Sequence, residues 1–225
     1  MFYHVVFETA LQGLSHQEHG NSKLAYKTIK KMQHLEDGKH GKVRVNSDCL
    51  NLLLRSICNE KKLAKGEMAT FNAHNYLIDC VASYDVAKTS ALPSKIGFNT
   101  VLNSWAQSGH WKGVSKAEEI YKIMERLSNE GHKNADPDPI TASIMLRIYT
   151  QKISSKKVQK KALDFFYRQE IDDLDTFACN SFLTLLARSK VEDRVTKARA
   201  LLKRMEEKGL ANVVSYNTMV CDTCT

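Results

Sequence analysis

The amino-acid sequence predicts an all-α protein, built as a right-handed superhelical solenoid of stacked helix-turn-helix repeats. Three observations support this prediction. Apolar residues make up 43% of the 225 residues, which is enough for a folded core. Only 3 Pro and 10 Gly occur, too few for the many turns of a β-sandwich. Short apolar motifs also recur at a spacing typical of helical-hairpin arrays.

The first recurring motif is an Asn or Ser inside a short apolar stretch, and it predicts the first helix of each repeat. Asn is followed by Thr or Ser in residues 97–102, 178–183 and 215–220, and Ser143 takes its place in residues 141–146. The polar positions 99, 143, 180 and 217 are 44, 37 and 37 residues apart. Such periods are typical of helix-hairpin repeats.

The second motif is a small residue followed seven positions later by Met, and it predicts the second helix. Seven residues are two helical turns, so both side chains share one face. Neither helix of a hairpin can bury its apolar stripe alone, and stacking of hairpins supplies the missing surfaces. The pairs are Ala25 with Met32, Ala117 with Met124, and Ala198 with Met205.

These motifs divide the chain into one array of about five repeats. We predict an opening hairpin from residues 5–14 and 23–35, and a second helix over about 69–84 in the less regular second repeat. The repeats are expected at about 1–46, 47–94, 95–138, 139–175 and 176–212, with 213–225 as the first helix of a further repeat. Because that helix has no following partner in the sequence, we interpret the chain as part of a longer protein.

The segment from Lys208 to Thr218 resembles the repeat junction of the pentatricopeptide repeat family, and the resemblance covers residues 95–220 best. It implies that each repeat reads about one RNA base. The implied reading residues are the polar residue of the first helix and the last residue of the same repeat. The pairs are Asn51 with Ser94, Asn99 with Asp138, Ser143 with Asp175, and Asn180 with Asn212, while Asn217 would pair beyond the chain.

By the family's pattern, Asn with Asp selects uracil, Ser with Asp selects guanine, and Asn with Asn selects a pyrimidine, mainly cytosine. The resemblance therefore implies a target containing a stretch similar to U-G-C. It also implies that the apolar residue three positions before each polar reader clamps the bases. These residues are Ile96, Ile140, Phe177 and Val214. The sequence departs from a regular family member in two ways. Its repeats are long, with insertions near residues 111–113 and 132–134, and Ser143 stands in place of Asn.

The charge balance favours a polyanionic partner. Lys and Arg total 33 against 25 Asp and Glu, a formal net charge of +8. Two basic stretches, residues 23–65 and 152–161, would supply contacts to phosphates if they line the binding groove. Two alternatives stay open: such lysines can form a solvated helix face, and a recurring Asn can cap a helix or bond within the hairpin.

The resulting functional prediction is a sequence-selective, single-stranded RNA-binding protein that acts in RNA processing, stability or translation. Other RNA-processing proteins are further candidate partners. The resemblance implies a mitochondrial or plastid location, although residues 1–22 contain no Lys or Arg and show no transit peptide. We expect no enzyme activity, cofactor, metal, membrane span or small-molecule substrate. Two alternatives are a protein-interaction scaffold of the tetratricopeptide type and the RNA-binding part of a larger RNA-processing enzyme.

Overall fold

A computed structural model describes residues 2–16, 21–36, 44–60, 66–87, 91–152, 155–168, 174–189 and 193–223, and these ranges contain helices but no strand. The helices are α1 (Phe2–His16), α2 (Ser22–Glu36), α3 (Ser47–Cys58), α4 (Gly66–Ala87), α5 (Lys95–Ser108), α6 (Gly113–Asn129), a short 3-10 helix (Lys133–Ala135), α7 (Pro139–Thr150), α8 (Lys156–Tyr167), α9 (Thr176–Arg188), α10 (Arg194–Glu207) and α11 (Val213–Thr223). The all-α prediction is confirmed. No helix within these ranges has the length and apolar character needed to cross a membrane.

The predicted opening hairpin corresponds to α1 and α2, and the helix expected over residues 69–84 lies inside α4. The insertion near residue 132 forms the 3-10 helix. The chain divides into two compact units. The first unit contains residues 1–110 and 122–136, and the second contains residues 111–121 and 137–225, so that α6 contributes to both.

In the first unit, the first helices of the hairpins form one row and the second helices pack against it. Helix α3 packs between α1 and α5, while α2 contacts α1 and α3, and α4 contacts α3 and α5. Tyr26 of α2 and Tyr76 of α4 meet edge to face, with ring centroids 6.2 Å apart. The core between the rows includes the fully buried Leu53, Leu77 and Trp105.

The second unit repeats this two-row arrangement. Helix α9 packs between α7 and α11, while α8 contacts α7, and α10 contacts α9 and α11. Phe166 of α8 stacks on Phe182 of α9, with ring centroids 3.5 Å apart and planes only 6° from parallel. This stacking joins the second helix of one hairpin to the first helix of the next.

The recurring small residue and Met of the second helices face the core, as their spacing predicts. Ala25 and Met32 are fully buried on α2, as are Ala117 and Met124 on α6. Ala198 and Met205 occupy the same places on α10, with at most 1% of either side chain exposed. Since small residues let neighbouring helices approach closely, the motif has a packing role.

Candidate nucleic-acid interface

The predicted last residue of each repeat caps the first helix of the next repeat. Each of these side chains accepts a hydrogen bond from a backbone N–H in the first turn, which the helix itself leaves unpaired. Short polar residues are therefore required here for helix initiation, whatever else they do. The caps are Ser94 for α5, Asp138 for α7, Asp175 for α9 and Asn212 for α11, and Asn46 caps α3 in the same way.

Asn51 of α3 is bonded to Ser94, its predicted partner 43 residues later. The Asn51 Nδ2 donates to Ser94 Oγ at 2.8 Å, and the Ser94 backbone N–H donates to Asn51 Oδ1 at 3.1 Å. Asn51 is 7% exposed, whereas Ser94 is half-buried. The amide therefore ties the middle of one first helix to the start of the next.

Ser143 of α7 is bonded to its predicted partner Asp175 in the same manner. The Ser143 hydroxyl lies 2.9 Å from Asp175 Oδ1 and 2.9 Å from the carbonyl oxygen of Pro139, so its hydrogen is shared between two acceptors. The same Oδ1 accepts the capping bond from the Ala178 N–H at 2.7 Å. Ser143 is buried and Asp175 is exposed.

Asn180 of α9 and Asn212 form the third predicted pair that the structure joins. The Asn180 Nδ2 donates to Asn212 Oδ1 at 3.2 Å. Ser215, a residue not selected from the sequence as a site residue, donates its hydroxyl hydrogen to Asn180 Oδ1 at 2.6 Å and is itself fully buried. Again the first-helix residue is buried, and the cap is exposed.

The remaining predicted pair, Asn99 with Asp138, is divided between the two compact units. Asn99 is half-buried on α5 of the first unit, and Asp138 caps α7 in the second. Asp138 and Thr141 form a capping box, since the Thr141 N–H donates to Asp138 Oδ1 at 2.9 Å and the Asp138 N–H donates to Thr141 Oγ1 at 3.1 Å. Asn217 is exposed on α11.

Two of the joined pairs differ in which hydrogen-bonding group is left to contact a ligand. Within the described ranges, Asp175 Oδ2 and the Asn212 amide nitrogen make no hydrogen bond. A carboxylate oxygen only accepts hydrogen bonds, whereas an amide NH₂ donates two. Asp175, the exposed member of its pair, therefore offers an acceptor, and Asn212, the exposed member of its pair, offers donors. Such a difference can discriminate between base edges.

The four predicted clamp residues are apolar side chains on the protein surface. Each is the second residue of its helix, directly after the capped end, and each is more than half exposed. They are Ile96 of α5, Ile140 of α7, Phe177 of α9 and Val214 of α11. A recurring exposed apolar side chain beside a polar pair provides a surface on which a base could stack or pack.

The basic stretches lie mainly on other helices than the polar pairs. Lys23, Lys27, Lys30 and Lys31 belong to α2, and Lys156, Lys157, Lys160 and Lys161 belong to α8. Both are second helices of their hairpins, whereas the joined pairs involve first helices and their caps. Five lysines of the first stretch lie outside the described residues: Lys39, Lys42, Lys61, Lys62 and Lys65.

Two cations follow a predicted reader by one helical turn. Arg55 follows Asn51 on α3 and is exposed. Arg147 follows Ser143 by one turn of α7 and is half-buried. Burial lowers the pKa of its guanidinium from the ordinary value. Because arginine remains protonated at all physiological pH values, Arg147 keeps a positive charge one helical turn after Ser143.

Gly97 is a second residue whose importance the sequence motif does not reveal. A Cβ at position 97 would lie 2.5 Å from Asn51 Oδ1, closer than real Cβ atoms approach an oxygen. Gly97 therefore makes room for the Asn51 amide at the start of α5. Ser215 occupies the corresponding place in α11, three residues after the cap, and its capping-box spacing from Asn212 was the available signal.

No protein-family model matches the chain, and a comparison with curated proteins gave no match. Among the residues that the structure describes, no group of three or more His, Cys, Asp and Glu side chains is arranged to hold a metal ion.

Proposed function

We propose that this protein is a sequence-selective, single-stranded RNA-binding protein of the pentatricopeptide repeat type. The observation that carries the proposal is that three of the four predicted pairs are joined by hydrogen bonds: Asn51 with Ser94, Ser143 with Asp175, and Asn180 with Asn212. Residues 32 to 43 positions apart in sequence meet at the start of successive first helices. Structural capping alone needs only the second member of each pair, and does not need a polar partner from the preceding hairpin.

In the proposed mechanism the two members of a pair have different tasks. The buried first-helix residue holds the exposed cap in one rotamer, which reduces the entropy lost when the cap binds a base. Asp175 then accepts a hydrogen bond from N1–H or N2–H of guanine. The Asn212 amide donates to N3 or O2 of cytosine. The neighbouring apolar residue, such as Phe177 or Val214, packs against the base.

We further propose that the hairpins continue as one right-handed solenoid, with the predicted pairs along one side. Binding would then serve RNA processing, stability or translation in a mitochondrion or plastid, without catalysis by these residues. Small-angle X-ray scattering tests the solenoid, since an extended superhelix has a larger radius of gyration than a globular protein of 225 residues.

The test of the function is competition binding. We expect the protein to bind a single-stranded RNA containing U-G-C more tightly than the same strand with its bases permuted, and more tightly than the corresponding DNA. Asn180→Ala should reduce this preference because Asn212 Oδ1 loses the hydrogen bond from Asn180 Nδ2. Asn129→Ala is the matched control, since Asn129 is an exposed residue at the end of α6. Equal binding of all strands by the parent protein would refute the proposal. Complete lack of RNA binding would favour a protein-interaction scaffold.

A further inference from the structure

Helix α2 carries a strip of lysines on the side opposite to its buried face. Ala25, Ile29 and Met32 point into the core of the first unit and are at most 1% exposed. Seven of the described side chains of α2 are exposed, and four of them are lysines; the others are Leu24, Tyr26 and His34. This surface, called here the α2 strip, consists of Lys23, Lys27, Lys30 and Lys31 together with the half-exposed Tyr26.

The charges of the α2 strip are not neutralised by neighbouring carboxylates in the described part of the chain, where none of its lysines forms an ion pair. Lys23, Lys27 and Lys31 follow one another at four-residue spacing, which places like charges side by side on one helix face. This arrangement destabilises a helix. A bound polyanion would remove the repulsion, so that the strip has a physical reason to bind one.

The strip also contains an aromatic ring among its cations. Tyr26 is 43% exposed, and Lys30 Nζ lies 5.6 Å from its ring centroid. Basic side chains interleaved with an exposed aromatic ring are the combination that binds single-stranded nucleic acids, through phosphate contacts and base stacking. Successive lysines at four-residue spacing are about 6 Å apart along the helix axis, a separation that an extended phosphodiester strand can match.

A membrane surface is the less suitable partner for α2. A helix that lies on a membrane inserts an apolar face between the lipid headgroups. In α2 the apolar face is formed by Ala25, Ile29 and Met32, which are buried against α1 and α3. The helix would have to leave the core of the first unit to insert it.

We propose that the α2 strip is a second, sequence-independent nucleic-acid contact that binds the phosphate backbone of a single strand. It lies in the row of second helices, whereas Asn51 lies in the row of first helices, so the two surfaces can be altered separately. The strip would supply affinity and salt dependence, and the polar pairs would supply base preference. The inference does not require base reading and can hold if that proposal fails.

The test uses single-stranded oligoadenylate, which lacks the bases implied for the polar pairs, and measures affinity against salt concentration. The variant combines K23Q, K27Q, K30Q and K31Q, because Gln has nearly the helix propensity of Lys. Four lost phosphate contacts should lower the log–log salt slope by about 3, since each contact contributes about 0.7 for single strands. A fourfold rise in salt should then weaken the parent's binding about 50-fold more than the variant's.

A charge-matched control combines K156Q, K157Q, K160Q and R168Q, which remove four exposed positive charges at or near α8. We expect the control to keep most of the parent's salt slope, and we expect the α2 variant to have a higher melting temperature than the parent. Equal loss in both variants would mean a diffuse effect of net charge and would overturn the proposal, as would no loss in either. Tighter binding to phosphatidylserine vesicles than to oligoadenylate would also overturn it. A variant that still prefers U-G-C RNA would separate this contact from the base-reading pairs.

Discussion

Replacement of Gly97 by Ala should destabilise the protein, although Gly→Ala within a helix is ordinarily stabilising. The new Cβ would lie 2.5 Å from Asn51 Oδ1, 3.0 Å from Pro93 Cβ and 3.1 Å from Leu54 Cδ1. The Asn51 amide must move away, which breaks its two hydrogen bonds with Ser94. Because Asn51 is buried, water cannot easily replace these bonds.

The expected magnitude follows from two opposing terms. Two lost hydrogen bonds at a buried amide cost about 2–4 kcal/mol, and the alanine regains at most about 1 kcal/mol of helix propensity. The free energy of unfolding should therefore fall by about 1–3 kcal/mol. Urea unfolding followed by the fluorescence of Trp105, which is buried in the first unit, measures this change.

Gly13→Ala is the matched control, because Gly13 lies in α1 and an added Cβ would meet nothing within 4 Å. This substitution should stabilise the protein by about 0.5–1 kcal/mol. In an Asn51→Ala background, Gly97→Ala should become less destabilising, since the clashing oxygen is gone. The reasoning is refuted if Gly97→Ala stabilises the protein as much as Gly13→Ala does.

Three further predictions concern packing and polar contacts. Ser215→Ala leaves Asn180 Oδ1 buried without its hydroxyl donor, and should lower the free energy of unfolding by about 1–3 kcal/mol; an unchanged urea midpoint would contradict this. Phe182→Ala removes a buried stacked ring and should cost about 3–5 kcal/mol, whereas Phe177→Ala removes an exposed ring, which should weaken RNA binding with little effect on thermal stability. Burial raises the pKa of the Cys58 thiol to about 12, so this thiol should react with a thiol reagent at neutral pH much more slowly in the native protein than in the unfolded protein; equal labelling rates would disprove it.

The helices could be predicted from the sequence because their signals are local. The spacing of Ala198 and Met205 places both on one helix face, and the structure buries both. Gly109 adopts the left-handed conformation that ends α5, as expected for a glycine after a helix. The first residue of a helix could be predicted where a capping side chain precedes it, as at Asp138, because the cap is itself a sequence signal.

The candidate site could be predicted only in part. The family resemblance implied that Asn180 and Asn212 are partners, but burial depends on neighbouring hairpins, and the sequence did not reveal that Asn180 is buried and Asn212 exposed. The role of Ser215 also depends on the docking of α11 against α9. Helical periodicity predicts that Lys27 lies on a polar face of its helix. It does not predict which molecule binds to that face.

The most direct test of base reading is the substitution Asp175→Asn. Asn also caps helices well and can accept the Ala178 N–H and Ser143 hydroxyl bonds, so the fold should persist. The substitution replaces the unused acceptor with an NH₂ donor. We predict that the parent prefers guanine at one position of its RNA by about 1–3 kcal/mol. The variant should prefer adenine or cytosine there, because their ring nitrogens N1 and N3 are acceptors where guanine has the N1–H donor. An unchanged base preference at every position, with RNA still bound, would contradict base reading by this residue.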